Sequence, residues 1–174
     1  MNNVLLQEWK TPFQIAPFNS ISDDDFTPAL DEALARHKAE VAAITEQTEQ
    51  PDFTNTIEAL EATGYDLNRV LGVFFTMAGA DSNPVREALQ RNFSPKLAAH
   101  FSDISGNTAL FQRILSVWSK RDDLNLTAEQ SRILMLTHRG FVRSGAGLKD
   151  TSKNRMKAIK ERLAELGTQF SQNL

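Results

Sequence analysis

Three histidines are the side chains best suited to metal or proton chemistry in this sequence, and their spacing decides what they can do. A zinc site of the His-Glu-x-x-His kind needs two histidines four apart on one helix face, with the glutamate placed to activate water. His37 is followed by Lys38, His100 by Phe101 and His138 by Arg139, and none has a histidine four residues on. His37 with Glu40, or His100 with Asp103, has the i,i+3 spacing to share an ion, but two ligands rarely hold zinc. Partly buried or surface histidines are the preferred reading. The absence of cysteine removes both a thiolate metal site and a disulfide framework.

Three further patterns invite chemistry. Gly145-x-Gly147 exposes amides as phosphate loops do, yet it follows a helical run and has neither Rossmann nor Walker spacing, so a helix C-cap and turn is preferred. Asp23-Asp24-Asp25 offers carboxylates to calcium but lacks the remaining ligands of a loop site, and an acidic helix start accounts for it. The 11 phenylalanines, Phe74 and Phe75 adjacent among them, stand at helical spacing, which favours core over a cofactor pocket. No serine, lysine or carboxylate pair has a readable base and orienter. No catalytic, cofactor-binding or metal-binding residue is therefore assigned to any position.

The elements that would position any such groups read as all-α. A chain of 174 residues suits one domain, with 41% hydrophobic and 24% charged residues in the ordinary globular range. A net charge of −3 gives no electrostatic footprint for nucleic acid and no polybasic attraction to lipid. Val4-Leu5-Leu6 is too short for a signal-peptide core, and no 18 apolar residues run together, so the cytoplasm is the expected location.

Residues 1–21 are expected to form an extended arm, because Pro12 and Pro17 disfavour helix, and to bury Trp9, Phe13, Ile15, Phe18 and Ile21 across the helices of residues 22–174. The first helix opens within Ser22-Asp23-Asp24-Asp25, with Pro28 in its first turn and a stripe of Phe26, Leu30, Ala33, Leu34, His37, Val41 and Ile44. A single long helix is expected from Pro51 to Ala80, capped by Asn55-x-x-Glu58 and burying Ile57, Leu60, Gly64, Leu67, Leu71, Phe74 and Ala78. Asn83-Pro84 starts a third helix, with a break or kink expected near Phe93 because Pro95 removes a backbone bond and clashes with the preceding turn. Asn107-Thr108 starts a fourth, and Thr127-x-x-Gln130 is a capping box for a fifth that stops at Ser144-Gly145-Ala146-Gly147. A sixth begins near Asp150 to Ser152 and carries Met156, Ile159, Leu163, Leu166 and Phe170 up to Leu174 with no stop signal, as if the chain were cut before a further domain. About six helices in antiparallel hairpins are expected, with some of Leu163, Leu166, Phe170 and Leu174 short of cover, so that the chain self-associates through them or frays at its C-terminus.

One stretch also resembles a known family. Pro51-Asp52-Phe53-x-Asn55-Thr56-Ile57-x-Ala59-Leu60-Glu61-x-x-Gly64-x-x-Leu67-x-Arg69-Val70-x-x-Val73-Phe74-Phe75 is similar to the N-terminal region of the thimet oligopeptidase and peptidyl-dipeptidase family of zinc metallopeptidases. Other pieces fall in the family's order: Pro17-Phe18, Phe26-x-Pro28-Ala29, Leu110-Phe111-x-Arg113-Ile114, Phe141-Val142-x-x-Gly145-Ala146-x-Leu148 and Leu163-x-x-Leu166-x-x-x-Phe170-x-x-Asn173. The resemblance implies a two-half channel enzyme that removes C-terminal dipeptides or cuts short peptides, with this chain as part of the channel wall. It implies zinc and the His-Glu-x-x-His motif in a C-terminal catalytic domain of the same polypeptide, and no zinc ligand or catalytic residue here. A free-standing binding module that reuses the fold is the reading from another class, because fold does not fix function.

Overall fold

The computed structural model describes residues 3–173, and among them every regular element is helical. Helix α1 spans Phe26–Glu46. A π-helical turn, Phe53–Glu58, runs into the short α2, Ala59–Glu61. Then come α3 (Tyr65–Ala80), α4 (Pro84–Ser105), α5 (Thr108–Ser119), α6 (Ala128–Arg143) and α7 (Asp150–Gln172). Side-chain caps set several of these starts: Asn83 accepts the amide of Arg86, Asn107 that of Leu110, and Thr127 and Gln130 cap each other reciprocally.

The apolar stripe of α1 is long enough to serve two cores. Its first half, Phe26, Ala29, Leu30 and Ala33, packs with Leu5 of the arm, Leu67, Val70, Val73 and Phe74 of α3, and Phe93 and Leu97 of α4. Its second half, Val41 and Ile44, packs with Phe53 and Ile57 and with apolar residues of α5 and α6. The most extensive helix pairs are α4 with α7 and α1 with α3.

The expected single helix from Pro51 to Ala80 is interrupted. Gly64 has φ +75°, a left-handed conformation that costs other L-residues roughly 1–2 kcal/mol, and it separates α2 from α3. The apolar repeat continues across the break, with Ile57, Leu67 and Phe74 buried, which is why periodicity alone reads as one helix. The cap also differs from expectation: Asp52 is the N-cap, and its partner is Asn55 rather than Asn55 pairing with Glu58.

Pro95 does not break α4, which runs unbroken from Pro84 to Ser105. The hydroxyl of Ser94 donates to the Gln90 carbonyl at 2.8 Å and lies 2.6 Å from the Thr168 hydroxyl of α7. Contact along α7 offsets the missing backbone bond, so tertiary packing overrides local propensity.

The arm coils through three short 3₁₀ turns, Val4–Leu6, Pro12–Gln14 and Phe18–Ser20, with extended residues between them. Leu5 is buried, and the Trp9 indole donates to the Val4 carbonyl at 2.8 Å while the Arg69 guanidinium lies over its ring. Phe13, Ile15 and Phe18 are exposed, contrary to expectation. The turn closed by the Thr11 hydroxyl on the Ile15 carbonyl holds Phe13 at φ 57° and leaves its ring in solvent.

Leu67 is 1% exposed, and Phe74 is fully buried with its ring 5.1 Å from Phe26 and 4.9 Å from Phe93. Leu67→Ala is expected to cost roughly 2–5 kcal/mol and Phe74→Ala roughly 3–5 kcal/mol in a denaturant series. Losses below about 0.5 kcal/mol for both would contradict this core.

Candidate functional site

Where the two cores meet, α1 presents His37, and the fold brings His100 of α4 to it. His37 is 8% exposed and His100 3%. Their facing nitrogens, His37 Nδ1 and His100 Nε2, are 2.9 Å apart, and His37 Nε2 is 3.2 Å from the Thr63 hydroxyl at the α2–α3 joint. The protons follow from the partners. The Thr63 hydroxyl donates to the Leu60 carbonyl at 2.7 Å, so toward His37 it accepts, and His37 carries its proton on Nε2. His37 Nδ1 is then an acceptor, and His100 Nε2–H donates to it. His100 Nδ1 is left as a buried lone pair without a partner.

Both imidazoles are held neutral by this arrangement. Burial lowers the pKa of His37, with Glu40 opposing, and lowers that of His100 to about 4, with His37 and Lys38 adding to the effect and Asp103 opposing. A second proton on His37 would set two N–H groups against each other. The adjacent joint is built to the same tolerance: the Gly64 amide donates to the Glu40 carboxylate at 2.7 Å, and a Cβ on Gly64 would stand 3.2 Å from the His37 ring.

The i,i+3 pairings considered from sequence are therefore spent elsewhere. His37 meets His100, Glu40 holds Gly64, and Asp103 accepts from Lys157 of α7 at 2.5 Å. Among the described residues no group of three or more His, Cys, Asp or Glu is gathered as a metal site would require. His138 lies apart, stacked on Trp118 with centroids 4.4 Å apart; burial and then Arg121 lower its pKa.

The remaining candidates also resolve into structure. Asp25 caps Ser22, and Asp23 accepts from Arg86 Nε at 2.7 Å, pinning the start of α4 to that of α1. At Gly145, φ +88°, the Ala146 amide donates to the Phe141 carbonyl and the Gly145 amide to Val142, a Schellman ending that uses the amides a phosphate would need. Phe74 is core, while Phe75 is 41% exposed.

One buried arginine, Arg113, carries more of the fold than its sequence context suggests. Arg113 Nη2 donates to Asn55 Oδ1 at 2.9 Å, and its Nη1 reaches the carbonyls of Gln47 and Glu49. Asn55 also accepts from the Asp52 amide and the Thr56 hydroxyl and donates to the Gln50 carbonyl. Arg113 thereby locks the loop after α1 to the π-turn. The signal for it is a cation inside the apolar run Leu110 to Ile114.

The histidine pair sets a pH dependence. Unfolded histidines titrate near 6.5, whereas His37 and His100 resist protonation in the fold, so below that pH the unfolded chain binds more protons. Stability is full above pH ~6.5 and falls as pH drops from there, for His100 until about pH 4 and by up to ~1.4 kcal/mol per pH unit; His37 acts in the same direction. Urea midpoints from about pH 7.5 to about pH 4.5 are expected to decline, and less steeply in His100→Gln. An identical slope in that variant would contradict the assignment.

No family model matches the chain. Curated proteins do. The dipeptidyl carboxypeptidase of Salmonella typhimurium is 40% identical over 172 residues, 99% of this chain and 25% of that protein. That of Escherichia coli is 38% identical over 174 residues, all of this chain and 25% of its own length. Oligopeptidase A of Escherichia coli is 26% identical over 175 residues, again 25% of its length. The chain thus spans about a quarter of the length of the curated relatives it matches. The likeness extends over 99% of the chain. This likeness fits the N-terminal region of the thimet oligopeptidase and peptidyl-dipeptidase family.

Proposed function

We propose that this chain is the N-terminal, non-catalytic helical domain of a zinc-dependent peptidyl-dipeptidase that acts on short peptides in the cytoplasm, and that it forms part of the substrate-channel wall. The observation that carries the proposal is full-length similarity to one quarter of dipeptidyl carboxypeptidase. The lower identity to oligopeptidase A, 26% against 40%, favours dipeptide release over endo-acting cleavage.

The site geometry agrees with this division of labour. The described residues do not fit zinc, because the histidine nitrogens that converge are bonded to each other and the neighbouring carboxylates are committed to Gly64 and Lys157. A zinc enzyme of this family therefore needs its ligands and its base from a C-terminal catalytic region of the same polypeptide. What this chain supplies is a rigid helical surface. No helix among the described residues is long and apolar enough to cross a membrane.

Zinc content and dipeptide release from a blocked short peptide are to be measured for the 174-residue chain and for the longer polypeptide of which it is proposed to be a part. The chain alone is expected to bind no stoichiometric zinc, to release no dipeptide and to keep its melting temperature when zinc or a chelator is added. The longer polypeptide is expected to show bound zinc and chelator-sensitive release together. Cleavage by the chain alone would refute the division of labour, and a longer polypeptide with neither property would refute the function.

A further inference from the structure

Helix α7 sits on the rest of the molecule with its polar side inward. Lys153 donates to Thr108 at 2.7 Å, Lys157 to Asp103, and Gln172 to the Glu87 carbonyl at 3.0 Å, while Thr168 meets Ser94. Thr168 is the only buried residue of α7 among those described. The opposite side carries Ile159, Leu163, Leu166 and Phe170, which are 49%, 62%, 42% and 67% exposed. An isolated surface helix normally has the reverse orientation. Leu174, named with these residues from the sequence, lies outside the described residues.

The spacing specifies the shape of the missing cover. Steps of four, three and four from Ile159 to Phe170 give a mean period of about 3.7, a single stripe, or seam, that matches one further α-helix. Continued at the same steps, the seam reaches back to Met156, and Arg155, Lys160 and Arg162 flank it. Arg162 pairs with Glu165 at 2.6 Å; Arg155 and Lys160 have no acidic partner among the described residues. A parallel second copy would bring Arg155 against the Lys160 of its mate, like charges facing across the seam. An acidic-flanked helix meets the same seam with complementary charge.

We propose that the outward face of α7 docks an amphipathic helix with acidic flanks, supplied by the part of the longer polypeptide outside these 174 residues. This rests on the proposed function, in which the relatives' remaining three quarters has a counterpart. Side chains of the seam then close the domain from outside, and α7 becomes a shared layer between two packed bodies.

Hydroxyl-radical labelling of Leu163, Leu166 and Phe170 is to be compared between the 174-residue chain and the longer polypeptide, with buried Phe74 as the reference. In the chain alone the three residues are expected to label far more than Phe74. In the longer polypeptide they are expected to fall to the Phe74 level. Leu163→Glu with Phe170→Glu is expected to leave the melting temperature of the chain alone unchanged and to lower that of the longer polypeptide. Equal labelling in both proteins would overturn the docking proposal, as would protection that follows dimer formation and disappears on dilution. Zinc-dependent dipeptide release with an unprotected seam sinks the docking proposal alone, whereas a protected seam without release sinks only the function.

Discussion

The neutral pair His37–His100 lies where α1 passes from one hydrophobic core to the other, and the geometry around it leaves little freedom. Ala33 belongs to the first core and Val41 to the second, so the residue between them faces the junction of three elements: α1, α4 and the joint at Thr63-Gly64. An apolar side chain there would leave the Thr63 hydroxyl and the second imidazole without one of their partners. A charged one would bring an unpaired charge into the interior. A neutral imidazole donates on one edge and accepts on the other, which is what a chain running from His100 through His37 to Thr63 requires. Gly64 completes the joint, because it adopts φ +75° without strain and a Cβ there would stand 3.2 Å from the His37 ring, so that the ring would have to shift.

Much of the fold is legible in the sequence because local rules decide it. Asn83-Pro84, Asn107-Thr108 and Thr127-x-x-Gln130 announce helix starts through bonds made within one turn. The stripe of α1, His37 included, is readable from spacing alone. What fails to show is whatever depends on a distant partner. Gly64 breaks a helix without disturbing its apolar period, and the carboxylate that stabilises the break comes from Glu40, 24 residues earlier. Pro95 is accommodated because α7 packs beside it. The arm's phenylalanine at position 13 is apolar enough to suggest burial, but a five-residue turn sends it into solvent.

The candidate site follows the same division. Sequence spacing identifies the histidines but pairs them with carboxylates on their own helices, the only partners that a helical period can reveal. In the fold each histidine meets a group 26 or 63 residues away. Similarity motifs behave differently: Asn55 and Arg113, 58 residues apart, mark one contact, the lock between the π-turn and α5. Such motifs record packing rather than catalysis. That is why they mark a likeness to peptidases without themselves naming a reacting group.

The central proposal is that the buried histidines serve structure and that the chemistry belongs to the rest of a longer peptidase. The direct measurement is kcat per mole of bound zinc in the longer polypeptide carrying His37→Gln and His100→Gln, read beside its melting temperature. The account predicts a lowered melting temperature with kcat per zinc within about twofold of the parent, since the converging imidazole nitrogens are committed to each other and to Thr63. A loss of about a hundredfold or more in kcat per zinc with the melting temperature unchanged would contradict it.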